Sequence, residues 1–291
     1  MPTRTSPSTR DSAIRRVLGG ILVANLAVVL VKFGVGIQAH SLAVFGDAIQ
    51  SAIDVGNNLF SLLVMGVASK APDEEHPYGH AKFETLGALL IAVLLAISIF
   101  ELVRGAVVRL ITGAPPPVVT ATGFVLLAAT LVINVGVTVV ERRAGERYRS
   151  ELLLADALHT RVDVFITLTV MAGLLLARRG YPWADPVLAI IVAALVARAG
   201  FQIVRRTMPA LVDERVYDEG IIRREAEGVA GVCSAYAIRS RGAPALRFAE
   251  LTIAVDGAAD VASAHRIADA VESRLREHLE LHQIVVHVEP C

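Results

Sequence analysis

Residues 118–140 read VVTATGFVLLAATLVINVGVTVV and contain no charged side chain. A helix facing water needs a charged or strongly polar stripe, and this stretch offers none. It is long enough to cross a hydrocarbon core of about 30 Å, which takes roughly 20 helical residues. Working outward, five further stretches have comparable length. Val17–Ile37 carries one charge, Lys32, and Leu42–Ala68 carries Asp47 and Asp54. Thr85–Phe100 is uncharged and extends past Glu101 towards Val103. Leu152–Ala177 carries Asp156, His159, Arg161 and Asp163, and Pro186–Val204 carries Arg198. The reading is six membrane spans. The first apolar run is long and no small-residue cleavage site follows it, so no signal peptide is expected.

Composition agrees. Of 291 residues, 54% are hydrophobic and 19% charged, against roughly 45–50% and about 25% in ordinary soluble chains; the mean hydropathy is +0.58. These values exclude a disordered chain, a basic nucleic-acid-binding tail and a typical soluble enzyme. Lys+Arg and Asp+Glu are both 28, so it is the placement of charge that informs. Arg4, Arg10, Arg15, Arg16, Lys70, Lys82, Arg142, Arg143, Arg147, Arg149, Arg205 and Arg206 fall on one side of the six spans; Arg104, Arg109, Arg178 and Arg179 fall on the other. The excess predicts that both termini are cytoplasmic, with the plasma membrane as the expected location.

After Arg206 the pattern changes. Val216–Val229 is amphipathic, Ser234–Arg241 and Leu246–Val255 alternate like strands around Arg241–Gly242–Ala243–Pro244, Asp260–Leu279 is a helix with a mixed-charge face, and Gln283–Val288 is a short strand. The order αββαβ predicts a small α+β domain with its helices on one face of a sheet. The fold class is therefore an α-helical membrane protein with six transmembrane helices and a C-terminal cytoplasmic α+β domain. The domain reading is a tail over 1–14, the membrane domain over 15–206 and a regulatory and dimerisation domain over 207–291. So small a domain makes a homodimer the expected state. Cys233 and Cys291 form neither a disulfide framework nor a CxxC site, and Cys291 is expected as an exposed thiol able to assist a metal site.

The chemistry lies in an internal repeat. Asp47-Ala-Ile-Gln50-Ser-Ala-Ile-Asp54 and Asp156-Ala-Leu-His159-Thr-Arg-Val-Asp163 share the pattern D-A-x-[Q/H]-x-x-x-D. At about 100° per residue, offsets 0, +3 and +7 fall within an arc of about 60°, giving each helix one polar stripe. Each intramembrane carboxylate costs roughly 2.5–3.5 kcal/mol, so four cost on the order of 10 kcal/mol, comparable to the net stability of a whole protein. Facing stripes would present Gln50, Asp54, His159 and Asp163 as four ligands for Zn²⁺ or a neighbouring divalent metal. A polar helix contact or a lone proton relay is the simpler alternative. Arg161 lies off the stripe.

On these residues the chain resembles the cation diffusion facilitator family of divalent-metal/proton antiporters. The resemblance also rests on His40-Ser41-Leu42-Ala43, His76-Pro77-Tyr78-Gly79-His80-Ala81-Lys82, Arg239-Ser240-Arg241-Gly242, Ala264-His265 and His287-Val288-Glu289-Pro290. It implies a transport site at Gln50, Asp54, His159 and Asp163, with Asp47 and Asp156 lining the access route. Gln50 departs from the His or Asp of most relatives, and its neutral amide oxygen is a harder donor. Zinc is the first expectation for the cargo, with iron, cobalt, nickel, cadmium and manganese open. The resemblance further implies a second metal site at Asp73, His76 and His80, for which a solvated loop is the plainer reading. It implies an interlock between Lys82 and Asp213, and a site in the soluble domain from Glu250, His265, His287 and Glu289, where Tyr236 and Glu250 replace histidines. Divalent metal as substrate and regulator, protons, lipid bilayer and a second copy of the chain are the implied partners, and nucleic acid is not. A membrane metalloenzyme is the rival class, with His159 and Asp163 as zinc ligands, but no HExxH helix accompanies them. A non-transporting metal sensor is the third reading.

Overall fold

The computed structural model describes residues 7–38, 42–113, 121–179, 181, 183–243 and 246–291. Contacts divide the chain into two units, Met1–Thr207 and Met208–Cys291. The first holds α1 (Pro7–Gln38), α2 (Leu42–Ala68), α3 (Lys82–Thr112), α4 (Ala121–Tyr148), α5 (Glu151–Arg178) and most of α6 (Ala184–Leu211). Among the described residues, five of these helices contain windows apolar enough to span a bilayer. α5 is as long, at 28 residues, and differs because it carries the charged half of the repeat. Large apolar side chains such as Val23, Leu30, Phe100, Ile111, Val132 and Phe201 point outward, as expected where the surrounding solvent is lipid.

α1 starts earlier than the sequence suggests. Pro7 opens the helix, ahead of the apolar run that begins at Val17, and its missing N–H costs nothing there. Ile14 and Leu18 are fully buried with Met65, Ile91, Leu152 and Leu153. Arg10 fixes this end. Its Nε donates to the Tyr148 carbonyl at 2.8 Å, and Nη2 pairs with Glu84 at 3.0 Å. Close packing continues at Gly87, where an added Cβ would meet Val64 Cγ1 at 2.5 Å and Leu152 Cδ1 at 3.1 Å. α2, α3 and α5 are thereby held together at the end where the 2–3 connection leaves α2. Val162, Leu95 and Val196 form a smaller core between α5, α3 and α6.

The second unit contains α7 (Glu219–Glu227), β1 (Val232–Ala243), β2 (Leu246–Val255), α8 (Val261–Leu279) and β3 (Gln283–Pro290). The order is the αββαβ read from sequence. Asp218 and Asp260 cap α7 and α8, accepting hydrogen bonds from the backbone N–H of Gly220 and Ser263. β2 is the central strand, antiparallel to β1 and parallel to β3. Its core-facing residues Ala249, Leu251, Ile253 and Val255 pack with Ile222 of α7 and with Val271 and Leu275 of α8. Both helices thus cover one face of the sheet and leave the other open. Cys233 and Cys291 are joined in a disulfide with Cα atoms 6.6 Å apart, so Cys291 is not the free thiol expected. The reason is register: Val232 pairs with Val255, and the Cys291 N–H donates to the Val255 carbonyl at 2.8 Å, bringing both cysteines to one end of β2.

Candidate metal centre

The repeat places one carboxylate of α2 against two side chains of α5. Ligand atoms of Asp54, His159 and Asp163 all lie within 4.8 Å of one another. His159 Nε2 lies 3.8 Å from Asp54 Oδ1, too long for a hydrogen bond. Asp54 Oδ1 and both ring nitrogens of His159 are buried and have no hydrogen-bond partner. Such orphaned atoms are rare, because each forfeits its interaction with water without replacement. A divalent cation would satisfy Asp54 Oδ1 and one ring nitrogen of His159 together. Bond lengths of about 2.0–2.2 Å put tetrahedral ligands about 3.4 Å apart, so a bound ion would draw this set slightly inward. The side chains of Gln50 and Asp47 lie outside the described residues. Arg161 is exposed and lies over the Phe165 ring, 5.3 Å from its centroid, away from the cluster.

Asp156 is fully enclosed. Asn57 Nδ2 donates to Asp156 Oδ1 at 2.9 Å, and Asn58 Nδ2 to Oδ2 at 3.4 Å. Asn25 of α1 in turn donates to Asn58 Oδ1. A residue expected to line an access route is here tied off by amides. One turn further along α5, the Thr160 hydroxyl donates to Glu141 of α4 at 3.1 Å, and Glu141 is fully buried. Lys32 of α1, also buried, donates to Ser51 Oγ of α2 at 2.8 Å. Sequence reasoning assigned no role to Asn57, Asn58, Glu141 or Lys32. Asn57 and Asn58 stand three and four residues after Asp54, hence on neighbouring positions of one helix face, which was the available signal.

The 2–3 connection gathers Asp73, His76 and His80 with ligand atoms likewise within 4.8 Å. His76 Nδ1 is 3.3 Å from Asp73 Oδ1, and His80 Nε2 is 3.4 Å from Asp73 Oδ2. The His76 backbone N–H donates to Asp73 Oδ1 at 2.7 Å. This bond, aided by the two imidazoles, holds the Asp73 carboxyl below its ordinary value. His80 is buried and stacks on Phe83 with ring centroids 5.6 Å apart.

The soluble unit does not assemble its four named residues within one chain. Glu250 pairs in register with Val285, Thr252 with His287 and Ala254 with Glu289, which puts Glu250, His287 and Glu289 on the open face of the sheet. His287 Nε2 lies 3.4 Å from Glu289 Oε1, and Tyr236 OH donates to Glu289. That bond raises the phenol above its usual value. His265 stands on α8, in the helix layer, beside Asp269 at 3.7 Å. Asp213 accepts from Arg241 at 3.5 Å within this unit. Lys82 opens α3 in the other unit.

Residues 21–212 match the cation efflux transmembrane domain and residues 216–291 the cytoplasmic domain of cation efflux proteins. An uncharacterized transporter of Methanocaldococcus jannaschii is 30% identical over 92% of this chain and 95% of its own length. The manganese efflux system protein MneP of Bacillus subtilis is 27% identical over 97% and 98%. The cation-efflux pump FieF of Shewanella oneidensis is 25% identical over 98% and 97%. The resemblance stated from the motifs holds, and the enzyme reading falls away. With its membrane helices and following α+β domain, the chain belongs to the cation efflux, or cation diffusion facilitator, family of divalent-metal transporters.

Proposed function

We propose that this protein exports a divalent transition metal in exchange for protons, with Asp54, His159 and Asp163 holding the ion and Gln50 as the fourth donor. The observation that carries this reading is the set of buried, unpartnered ligand atoms on α2 and α5. One imidazole and two carboxylates suit zinc. Manganese is the second reading, favoured by the oxygen-rich set that Gln50 would complete and by a relative named for manganese efflux.

Binding requires a neutral imidazole and ionised carboxylates, so protons and metal compete for the same atoms. Metal enters from the cytoplasm and displaces protons. On the far side, protons displace the metal. Asp156, held by the amides of Asn57 and Asn58, and Asp47 would line the access route to the site. Asp73, His76 and His80 form a second, cytoplasmic metal site. Glu250, His287 and Glu289 contribute to a regulatory surface on a homodimer, with His265 as a further donor from the helix layer, and Lys82 and Asp213 interlock at the junction. The chain crosses the plasma membrane with both termini in the cytoplasm and a domain boundary near residue 207.

The test uses full-length protein in liposomes with a metal-sensitive dye inside. A fixed metal gradient is combined with a varied pH gradient. Zinc and manganese are offered separately and in competition. Flux that rises as the lumen is acidified supports antiport, whereas flux indifferent to the gradient overturns it. Wild-type flux through Asp54→Ala overturns the site.

A further inference from the structure

Lys32 is a buried cation in the first span of a protein that carries cations. Its residue is 2% exposed, and its ammonium donates to Ser51 Oγ of α2 at 2.8 Å. Ser51 precedes Asp54 by three residues and is itself buried. On a helix that spacing puts two side chains on one face, with Cβ atoms about 5–6 Å apart. The ammonium is therefore anchored about one turn from a metal ligand. A buried ammonium is costly within a bilayer, and nearby carboxylates offset that cost.

Consider the charges. Asp54 and Asp163 contribute two negative charges when ready for metal, and a divalent ion cancels them. Without metal, two carboxylates within 4.8 Å of one imidazole repel each other in a medium of low dielectric constant, where such interactions are strong. A fixed positive charge beside them eases the empty state. The same charge repels the arriving ion. Both effects weaken metal binding and favour release, which a transporter needs on its exit side.

We propose that Lys32 is the resident counter-charge of the transport site, lowering its affinity for divalent metal so that the ion can leave. The inference rests on Asp54, His159 and Asp163 being that site. Lys32 touches no ion in this scheme and acts as a positioning and affinity-setting residue.

The experiment is calorimetric titration of Zn²⁺ and Mn²⁺ into purified full-length protein at pH 8, where protons compete least. Subtracting the isotherm of Asp54→Ala isolates the transport site from the other two clusters. Lys32→Met and Lys32→Gln should each lower the dissociation constant at that site about tenfold, with slower export in liposomes, while Lys32→Arg stays within about threefold of wild type. Two neutral variants are used because Gln can still bond Ser51 if Met disturbs packing. If neither neutral variant binds at least threefold tighter, Lys32 is a structural residue and the inference is lost. Should Asp54→Ala titrate like wild type, the site assignment fails instead, whatever the Lys32 variants do.

Discussion

The two clusters that gather an aspartate with histidine, Asp54–His159–Asp163 and Asp73–His76–His80, both bring their ligand atoms within 4.8 Å of one another but differ in how far those atoms are hydrogen-bonded. In the first, Asp54 Oδ1 and both imidazole nitrogens of His159 are buried and unpartnered. In the second, Asp73 already accepts from the His76 backbone N–H, and its two oxygens face two imidazoles. A metal ion entering the α2/α5 cluster breaks no hydrogen bond of Asp54 Oδ1 or of the His159 ring. One binding in the 2–3 connection must compete with bonds already made and with water, since Asp73 and His76 are exposed. Residue type and spacing identify ligands equally in both places. What separates them is the extent of unmet demand: a carboxylate oxygen and both nitrogens of an imidazole in the first, His80 Nδ1 alone in the second.

The sharpest way to break that comparison is to delete a buried ligand. Asp54→Ala and Asp163→Ala should each reduce metal flux at least about 100-fold, since removal even of an outer-sphere partner commonly costs 10–100-fold. Membrane abundance should stay near normal, because a costly buried carboxylate has been removed rather than added. Flux in reconstituted vesicles at matched protein amount is the readout. Near-wild-type flux in either variant would place transport elsewhere.

His159→Ala tests the proton arm of the same cluster. The remaining carboxylates should retain weak metal binding, reduced about 10–100-fold. The dependence of flux on an imposed pH gradient should flatten, because the imidazole that exchanges a proton for metal is gone. If the variant transports slowly but keeps the full pH response, the carboxylates carry the exchanged protons.

How much of this contrast could be read beforehand differs by region. The six helices were legible because an uncharged run such as 118–140 has no alternative to lipid. The transport cluster was legible because the D-A-x-[Q/H]-x-x-x-D pattern occurs twice, and a cost paid twice needs a reason. The start of α1 was not. Residues 7–14 contain Arg10 and Asp11 and look like a solvated tail. Only the fold brings Arg10 to Glu84, 74 positions away, and to the Tyr148 carbonyl. Asn57 and Asn58 escaped notice because neutral amides leave no charge signature, although they enclose Asp156. The Cys233–Cys291 pair depends on both flanking strands meeting the same end of β2, a matter of sheet order that two cysteines cannot announce.

Gln50→His sharpens the comparison from the ligand side. Replacing an amide oxygen with an imidazole nitrogen moves the donor set from three oxygens and one nitrogen to two of each. Zinc should gain on manganese, by about tenfold in their competition ratio. An unchanged ranking of metals would mean that Gln50 is not a ligand and that α2 contributes Asp54 alone.

The smallest effect is expected in the 2–3 connection. Asp73 is held below the ordinary carboxylate value, first by the His76 backbone N–H, so it remains ionised from below pH 4 through neutrality. Protonation of Asp73 therefore cannot be what loosens metal from this cluster as the solution is acidified towards pH 6. Asp73→Asn keeps the shape of the side chain and one acceptor oxygen but removes the charge. Metal affinity at this cluster should fall about tenfold or less, because the site is open to water and salt. Flux through the α2/α5 site at saturating metal should be nearly unchanged. Titrating metal into Asp54→Ala, with and without Asp73→Asn, isolates the connection cluster for this measurement. A collapse of transport in Asp73→Asn would erase the distinction between the clusters, making the exposed one an obligatory step for every ion carried.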